Sequence, residues 1–198
     1  DPRLSVICMM RDPRDVIVSR HAKDPNRFYA SLSTWKSQLS YIRKLSRHPR
    51  FVLIRYEDLV DDPDACQRLI MQRLPYLRQM SWFSDFGKAV NVSEGSISAL
   101  GGVRSIGTNS IGNWQDNKDR VAGQLQQHGA IAQDLIEFGY EKDASWLSLM
   151  QSTSPDLTPS YQDLHARGGL HRVILRAVKA RLHAAKAFAS WILRISWG

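Results

Sequence analysis

The chain has 198 residues, enough for one α/β domain with a sizeable core and an appendage. Its formal net charge of +8 is unevenly placed: from His165 onward there are seven Arg or Lys and no Asp or Glu, so of 27 basic residues only 20 face the 19 acidic ones in the remainder. A near-neutral domain whose basic tail lacks a folded reading surface ranks nucleic-acid binding last, and no uncharged apolar stretch reaches membrane-spanning length.

In chain order, Leu4 to Met10 is a short apolar run that predicts a buried strand. Asp12-Pro13 supplies an N-cap and a first-turn proline, so a helix is expected from about Pro13 to Ala22, ended by Asp24-Pro25-Asn26. Phe28, Leu32, Trp35, Leu39, Ile42 and Leu45 fall at helical spacing, with Pro49 as the exit. Phe51 to Tyr56 predicts a second strand, followed by acidic residues and a helix opened by Pro63. This alternation argues for a parallel sheet flanked by helices. Ser81 to Asp116 reads as a long loop rich in Gly, Ser and Asn, and such loops inside compact domains are commonly functional. A polar helix is expected from Lys118 to Glu137, closed by Phe138-Gly139-Tyr140. Ser152 to Pro159 has linker composition. Cys8 and Cys66 have no patterned spacing and read as reduced, buried thiols, which suits a reducing compartment.

Three strings carry candidate chemistry. In Arg11-Asp12-Pro13-Arg14-Asp15, the helix beginning near Pro13 is expected to turn its free N–H groups and positive dipole end toward Arg11, making an anion site with the Ser19 hydroxyl about two turns along. The plain alternative is an Arg11–Asp15 pair with Ser19 facing solvent. Glu57 and Asp58, just after the second strand, could hold magnesium in a P-loop hydrolase; the simpler reading is that they cap the next helix and pair with arginines. From Gly101 to Asp119, Gly107 and Gly112 allow close backbone approach, and Arg104, Thr108, Asn109 and Ser110 supply donors. Trp114 either covers a base or pins the loop to the core, and pinning is the commoner use of a lone tryptophan.

In this order the strings resemble the sulfotransferases that use 3′-phosphoadenosine 5′-phosphosulfate (PAPS). The family's 3′-phosphate element looks like Arg11, Pro13, Asp15 and Ser19. Arg55 to Leu59 ("RYEDL") is similar to the strand that follows, and Ser110 to Trp114 ("SIGNW") with the helix ending "FGYE" to the family's C-terminal loop and final helix. The resemblance spans about Arg3 to Lys142. It implies a P-loop nucleotide-kinase-like α/β fold and sulfuryl transfer from PAPS to a hydroxyl or amine without a metal. It further implies Arg11, Ser19, Arg104 and Ser110 as PAPS-binding residues. Arg104 stands upstream of the family's usual position for a basic residue in that loop. The family's Lys-Ser-Gly-Thr-Thr type phosphosulfate loop does not occur here, and it and the catalytic base are expected before Asp1. The chain therefore reads as the C-terminal portion of a sulfotransferase domain (1–143), a linker (144–164) and a basic amphipathic helix (165–198).

In that tail, Leu170, Val173, Ile174, Ala177, Val178 and Leu182 lie on one helical stripe, with Trp191 and Trp197 near the end. This pattern suits an anionic membrane surface or a protein partner, the alternative being a helix packed on its own domain. The expected partners are a sulfate acceptor (sugar, lipid or small molecule) and no nucleic acid, and the expected location is cytoplasmic or peripheral at a membrane surface. The rival readings are a P-loop kinase or NTPase fragment and a non-catalytic binding remnant of the fold.

Overall fold

The computed structural model describes residues 4–22, 24–89 and 106–166. Arg104 and residues 167–198 of the tail lie outside them, as does the expectation of a helix there.

The apolar run forms strand β1 (Val6–Met10), which pairs in parallel with a second strand, β4 (Phe51–Arg55), in the register Val6 to Phe51 through Met10 to Arg55. Helix α1 (Pro13–Val18) follows β1 directly. It stops four residues earlier than its sequence predicts. Val16-Ile17-Val18 are β-branched and disfavour helix, and the next residues pair instead: β2 (Arg20–His21) is antiparallel to β3 (Asp24–Phe28), and Tyr29 N–H donates to the Ser19 carbonyl at 2.9 Å. Phe28 thus belongs to a strand. Helix α2 (Leu32–Leu45) starts after it and buries Leu32, Trp35, Leu39 and Ile42, a stripe at helical period.

After β4 the chain turns at once into α3 (Tyr56–Asp61) and then α4 (Pro63–Arg73), whose N-cap is Asp62, its carboxylate accepting from Ala65 N–H at 2.8 Å. A short 3₁₀ turn (Phe83–Asp85) and α5 (Phe86–Ala89) follow. Beyond residue 105, a 3₁₀ turn at Asn113–Asp116 leads into α6 (Lys118–His128) and α7 (Ala132–Glu137). The single helix expected over Lys118 to Glu137 is thus broken at Gly129, whose N–H closes α6 on the Leu125 carbonyl at 2.8 Å. A 3₁₀ turn (Ser145–Met150) and α8 (Tyr161–Ala166) complete the described chain.

The small parallel sheet carries helices on both faces. Cys8, Met10 and Leu53 look into a core formed by Ile17, Leu32, Trp35, Leu39, Val121 and Leu135. Val52 and Ile54, on the alternate face, pack on Cys66 and Ile70 of α4 and on Leu74 just past its end. The architecture is mixed α/β with a small parallel sheet. Among the described residues no helix is long and apolar enough to cross a membrane.

The segment 144–164 is not a free linker, which corrects its compositional reading. Trp146 is buried in the core, and Asp156 N–H donates to the Asp119 carbonyl at 2.9 Å. The Gln127 amide reaches the Leu157 carbonyl at 3.0 Å, and Ser160 is fully buried with its hydroxyl on Asp163 at 2.6 Å. Prolines and serines suit an irregular backbone, and here that backbone is laid along α6 as a strap.

Candidate functional site

The site grows from the C-terminal tips of the two parallel strands, where open α/β sheets take ligands. Arg11 leaves β1 partly exposed. Its Nη2 donates to the Ser110 carbonyl and lies 4.0 Å from Asp15 Oδ2, and its guanidinium sits 4.8 Å from the centre of the Tyr56 ring. The three strings singled out in the sequence therefore meet in space. Two further bonds fix them: Asp12 N–H donates to Glu57 Oε1 at 2.9 Å, and the Asp15 carboxylate accepts from Gly112 N–H at 2.8 Å and Trp114 N–H at 3.0 Å.

These bonds assign most of the string to holding the loop. Asp15 is 1% exposed, and burial pushes its carboxyl above the usual carboxylate range although the two loop N–H groups pull it down. Arg14 is also buried. It lies between the rings of Trp114 (4.1 Å to the centroid) and Trp146 (4.8 Å), bonded to Asp12 at 2.6 Å and Glu141 at 2.5 Å. Burial works to lower its pKa, but the bonds to Asp12 and Glu141 outweigh it and the value rises. Trp114 pins the loop to the core, its ring edge-on to Trp146 at 6.1 Å. Gly112 serves through its left-handed φ of +81° rather than through close approach, since a Cβ there would meet only Gln115 Nε2 at 4.0 Å. At Gly107 a Cβ would meet nothing within 4 Å.

The expected contribution of the helix N-terminus fails. Helix α1 is six residues long and its first donors are all in use: Pro13 has no N–H, Arg14 N–H goes to Asp12 Oδ1 at 2.8 Å, and the N–H groups of Asp15 and Val16 go to the Asp12 carbonyl, each at 3.1 Å. A capping carboxylate occupies the place an anion would take. Ser19 is not two helical turns along either; it is the extended residue that ends α1, and its hydroxyl donates to the Asp15 carbonyl at 2.8 Å. Ser110 joins the site through its carbonyl, as the acceptor for Arg11. The cation at the strand tip is what this string offers an anion. Nη2 is engaged, but Nε is buried with no partner among the described residues, so the fork of five donors keeps capacity.

Glu57 and Asp58 separate in role. Asp58 is paired with Arg55 at 2.5 Å, whereas Glu57 turns inward. Its Oε2 is buried without a partner among the described residues, and burial, with the Asp12 carboxylate nearby, pushes its carboxyl up. The Tyr140 hydroxyl is buried near it, likewise without a partner, and its pKa is raised by burial and by Glu57. Neither acid caps α4, as the sequence had suggested. Among the described residues no group of three or more His, Cys, Asp or Glu could hold a metal ion. Cys66 is buried and Cys8 half-buried, both free, with thiols pushed up by burial.

Sequence reasoning missed Tyr56, Tyr140 and Glu141 as neighbours of this site. Tyr56 stands between a strand and its acids, and Tyr140 and Glu141 belong to the "FGYE" string, but neither string marked them as reaching this site.

No family model matches the chain, and no curated protein or solved structure matches it.

Proposed function

We propose that the chain belongs to a PAPS-dependent sulfotransferase with a P-loop nucleotide-kinase-like fold, and that it supplies the part of the donor site that holds the 3′-phosphate. One observation carries the reading. The strings 11–19, 55–59 and 110–114, far apart in sequence, converge at the tips of two parallel strands around a partly exposed arginine. Arg11, fixed by Ser110 and Tyr56, is the phosphate ligand. Ser19 contributes if its hydroxyl rotates away from Asp15, Ser110 lines the same side, and Arg104 is assigned to the phosphate from the sequence resemblance alone. Asp12, Arg14 and Asp15 hold these groups in place and do not touch the nucleotide.

The reaction is in-line transfer of a sulfuryl group to a hydroxyl or amine. The bond from sulfur to the nucleotide's bridging oxygen breaks as the bond to the acceptor forms, and the acceptor's proton goes to a base that this reading does not assign among these residues. No Gly-Lys-Ser/Thr string occurs in the chain, so the groups that would hold the sulfuryl end are not among its residues either. The tail, 165–198, is read from its sequence alone as an element for an anionic membrane surface or a partner.

Titration calorimetry with 3′-phosphoadenosine 5′-phosphate, without metal, tests the reading. The chain should bind, and Arg11→Glu should weaken binding by about a hundredfold or more, the loss of a charge-assisted contact and its replacement by a repulsive one. Undiminished affinity in the variant sinks the assignment. Binding of ATP that requires magnesium, with no affinity for the bisphosphate, would transfer support to the kinase or NTPase reading.

A further inference from the structure

Helix α4 and the loop that follows it carry an unusual surface composition. From Ala65 to Ser84 the sequence has three arginines, Arg68, Arg73 and Arg78, and no Asp or Glu. Within this stretch every residue of the loop 75–82 is exposed, and four of them are large and apolar: Met80 is 92% exposed, Tyr76 61%, Trp82 39% and Leu77 38%. Isolated apolar side chains are ordinary on a surface, but a group of them on one exposed loop marks a place of contact.

The loop is anchored at both ends, so its exposure is built into the fold. Leu74 is buried against Val52, Ile54 and Ile70, and Phe83 packs on the same cluster. The buried Gln67 side chain on α4 donates to the Ser81 carbonyl at 2.7 Å and accepts from Phe83 N–H at 2.8 Å, while Leu77 N–H donates to the Leu74 carbonyl at 3.0 Å. The Arg68 guanidinium lies 6.0 Å from the centre of the Trp82 ring, which brings the charge of α4 to the loop. Arg68 is only loosely paired, 3.7 Å from Asp62 with both side chains more than half exposed, and no ion pair engages Arg73 or Arg78 among the described residues. The acids that flank the stretch are occupied: Asp64 accepts from the Ser84 N–H and hydroxyl at 2.9 and 2.8 Å, and Asp85 pairs with Lys88 at 3.0 Å.

We propose that the loop 75–82, with the arginines of α4, is a docking surface for an anionic lipid membrane. Tyr76, Leu77, Met80 and Trp82 enter the headgroup layer, and Arg68, Arg73 and Arg78 meet lipid phosphates. Apolar and aromatic tips beside uncompensated guanidinium groups suit that layer, which is apolar below and anionic above. A second copy of the chain seated on the same patch would set these arginines against themselves. The tail from His165 onward is, in sequence, a second basic stretch with tryptophans and no acid, and two weak anchors together hold a chain that one alone would release. The inference does not depend on the sulfotransferase reading.

The test is hydrogen exchange and co-sedimentation of the whole chain with vesicles of phosphatidylcholine, with and without phosphatidylserine. Vesicles containing phosphatidylserine should slow exchange of the backbone N–H groups of 76–82. Arg78→Glu and Met80→Glu, both at exposed positions, should each abolish that protection and weaken co-sedimentation about fivefold or more. Neither should move the urea midpoint, which separates lost docking from lost folding. Protection confined to 165–198, or vesicle affinity that neither substitution alters, overturns the proposal. Equal protection by phosphatidylcholine alone overturns the anionic requirement. Protection that grows with chain concentration in the absence of vesicles assigns the patch to a second copy, and protection by polyglutamate but not by vesicles assigns it to an acidic protein; either outcome overturns the membrane.

Discussion

Arg11 and Arg14 stand three residues apart in one string and do unlike work. Arg11 is tethered at the surface of the strand tip, whereas Arg14 is sealed between two tryptophans with a carboxylate on either side. Removing a buried cation leaves its carboxylates uncompensated, so Arg14→Met should destabilise the fold by about 3–5 kcal/mol in urea unfolding. Arg14→Lys should recover only part of that, because an ammonium lacks the planar fork that bridges Asp12 and Glu141. Glu57 gives a pH signature. Its carboxyl titrates above the ordinary glutamate value of 4.5 in the folded state, so the fold keeps the proton to higher pH than the unfolded chain does. Stability is therefore greatest at and below the ordinary value and falls as pH rises through the folded one. Glu57→Gln should flatten that fall in urea midpoints measured from about pH 4 to pH 8, leaving the share that Asp15, raised for the same reason, contributes.

At the scale of elements, the strap depends on one glycine. A Cβ on Gly123 would lie 1.9 Å from the Asp156 carbonyl oxygen, a backbone atom that cannot swing aside as a side chain could. Gly123→Ala should lift the strap from α6, cost about 1–3 kcal/mol, and expose 151–160 to protease in limited digestion. Uncut strap in the variant would show that the contact is dispensable. Arg120 ties the same elements: fully buried on α6, it donates to the Ile17 carbonyl at 3.4 Å and the Thr158 carbonyl at 2.5 Å and lies 4.3 Å from the Phe28 ring. Burial lowers its pKa. Nothing in the sequence marks Gly123 or Arg120, because each acts on a partner distant in the chain. The periodic stripe of α2 and the apolar runs of β1 and β4 were legible, since each buries its own face wherever its partners come from. The early end of α1 was not, because its cause is the pairing of Ser19 and Arg20 with a strand not read as one.

Across the whole molecule, α4 covers β4 but not its neighbour. Ile7 and Met9, in register with Val52 and Ile54, stay 50% and 56% exposed while those two are buried. The apolar pattern alone would bury all four. The sequence by itself determined the strands, the main core stripe, the placement of cation and acid in the strings 11–15 and 55–58, and the concentration of charge in the tail. These are local consequences of side-chain period and chemistry. Tertiary structure decided what each charge does. Asp12 was spent on the first N–H groups of α1, which silenced the helix N-terminus, and Asp15 on the loop N–H groups of Gly112 and Trp114, because buried donors must find acceptors. Arg11 was left with unfilled donors beside a mostly apolar cavity whose wall comes from α2 and from a strap more than 120 positions away. No local pattern encodes that pairing, because it exists only once the chain has folded back on its first strand.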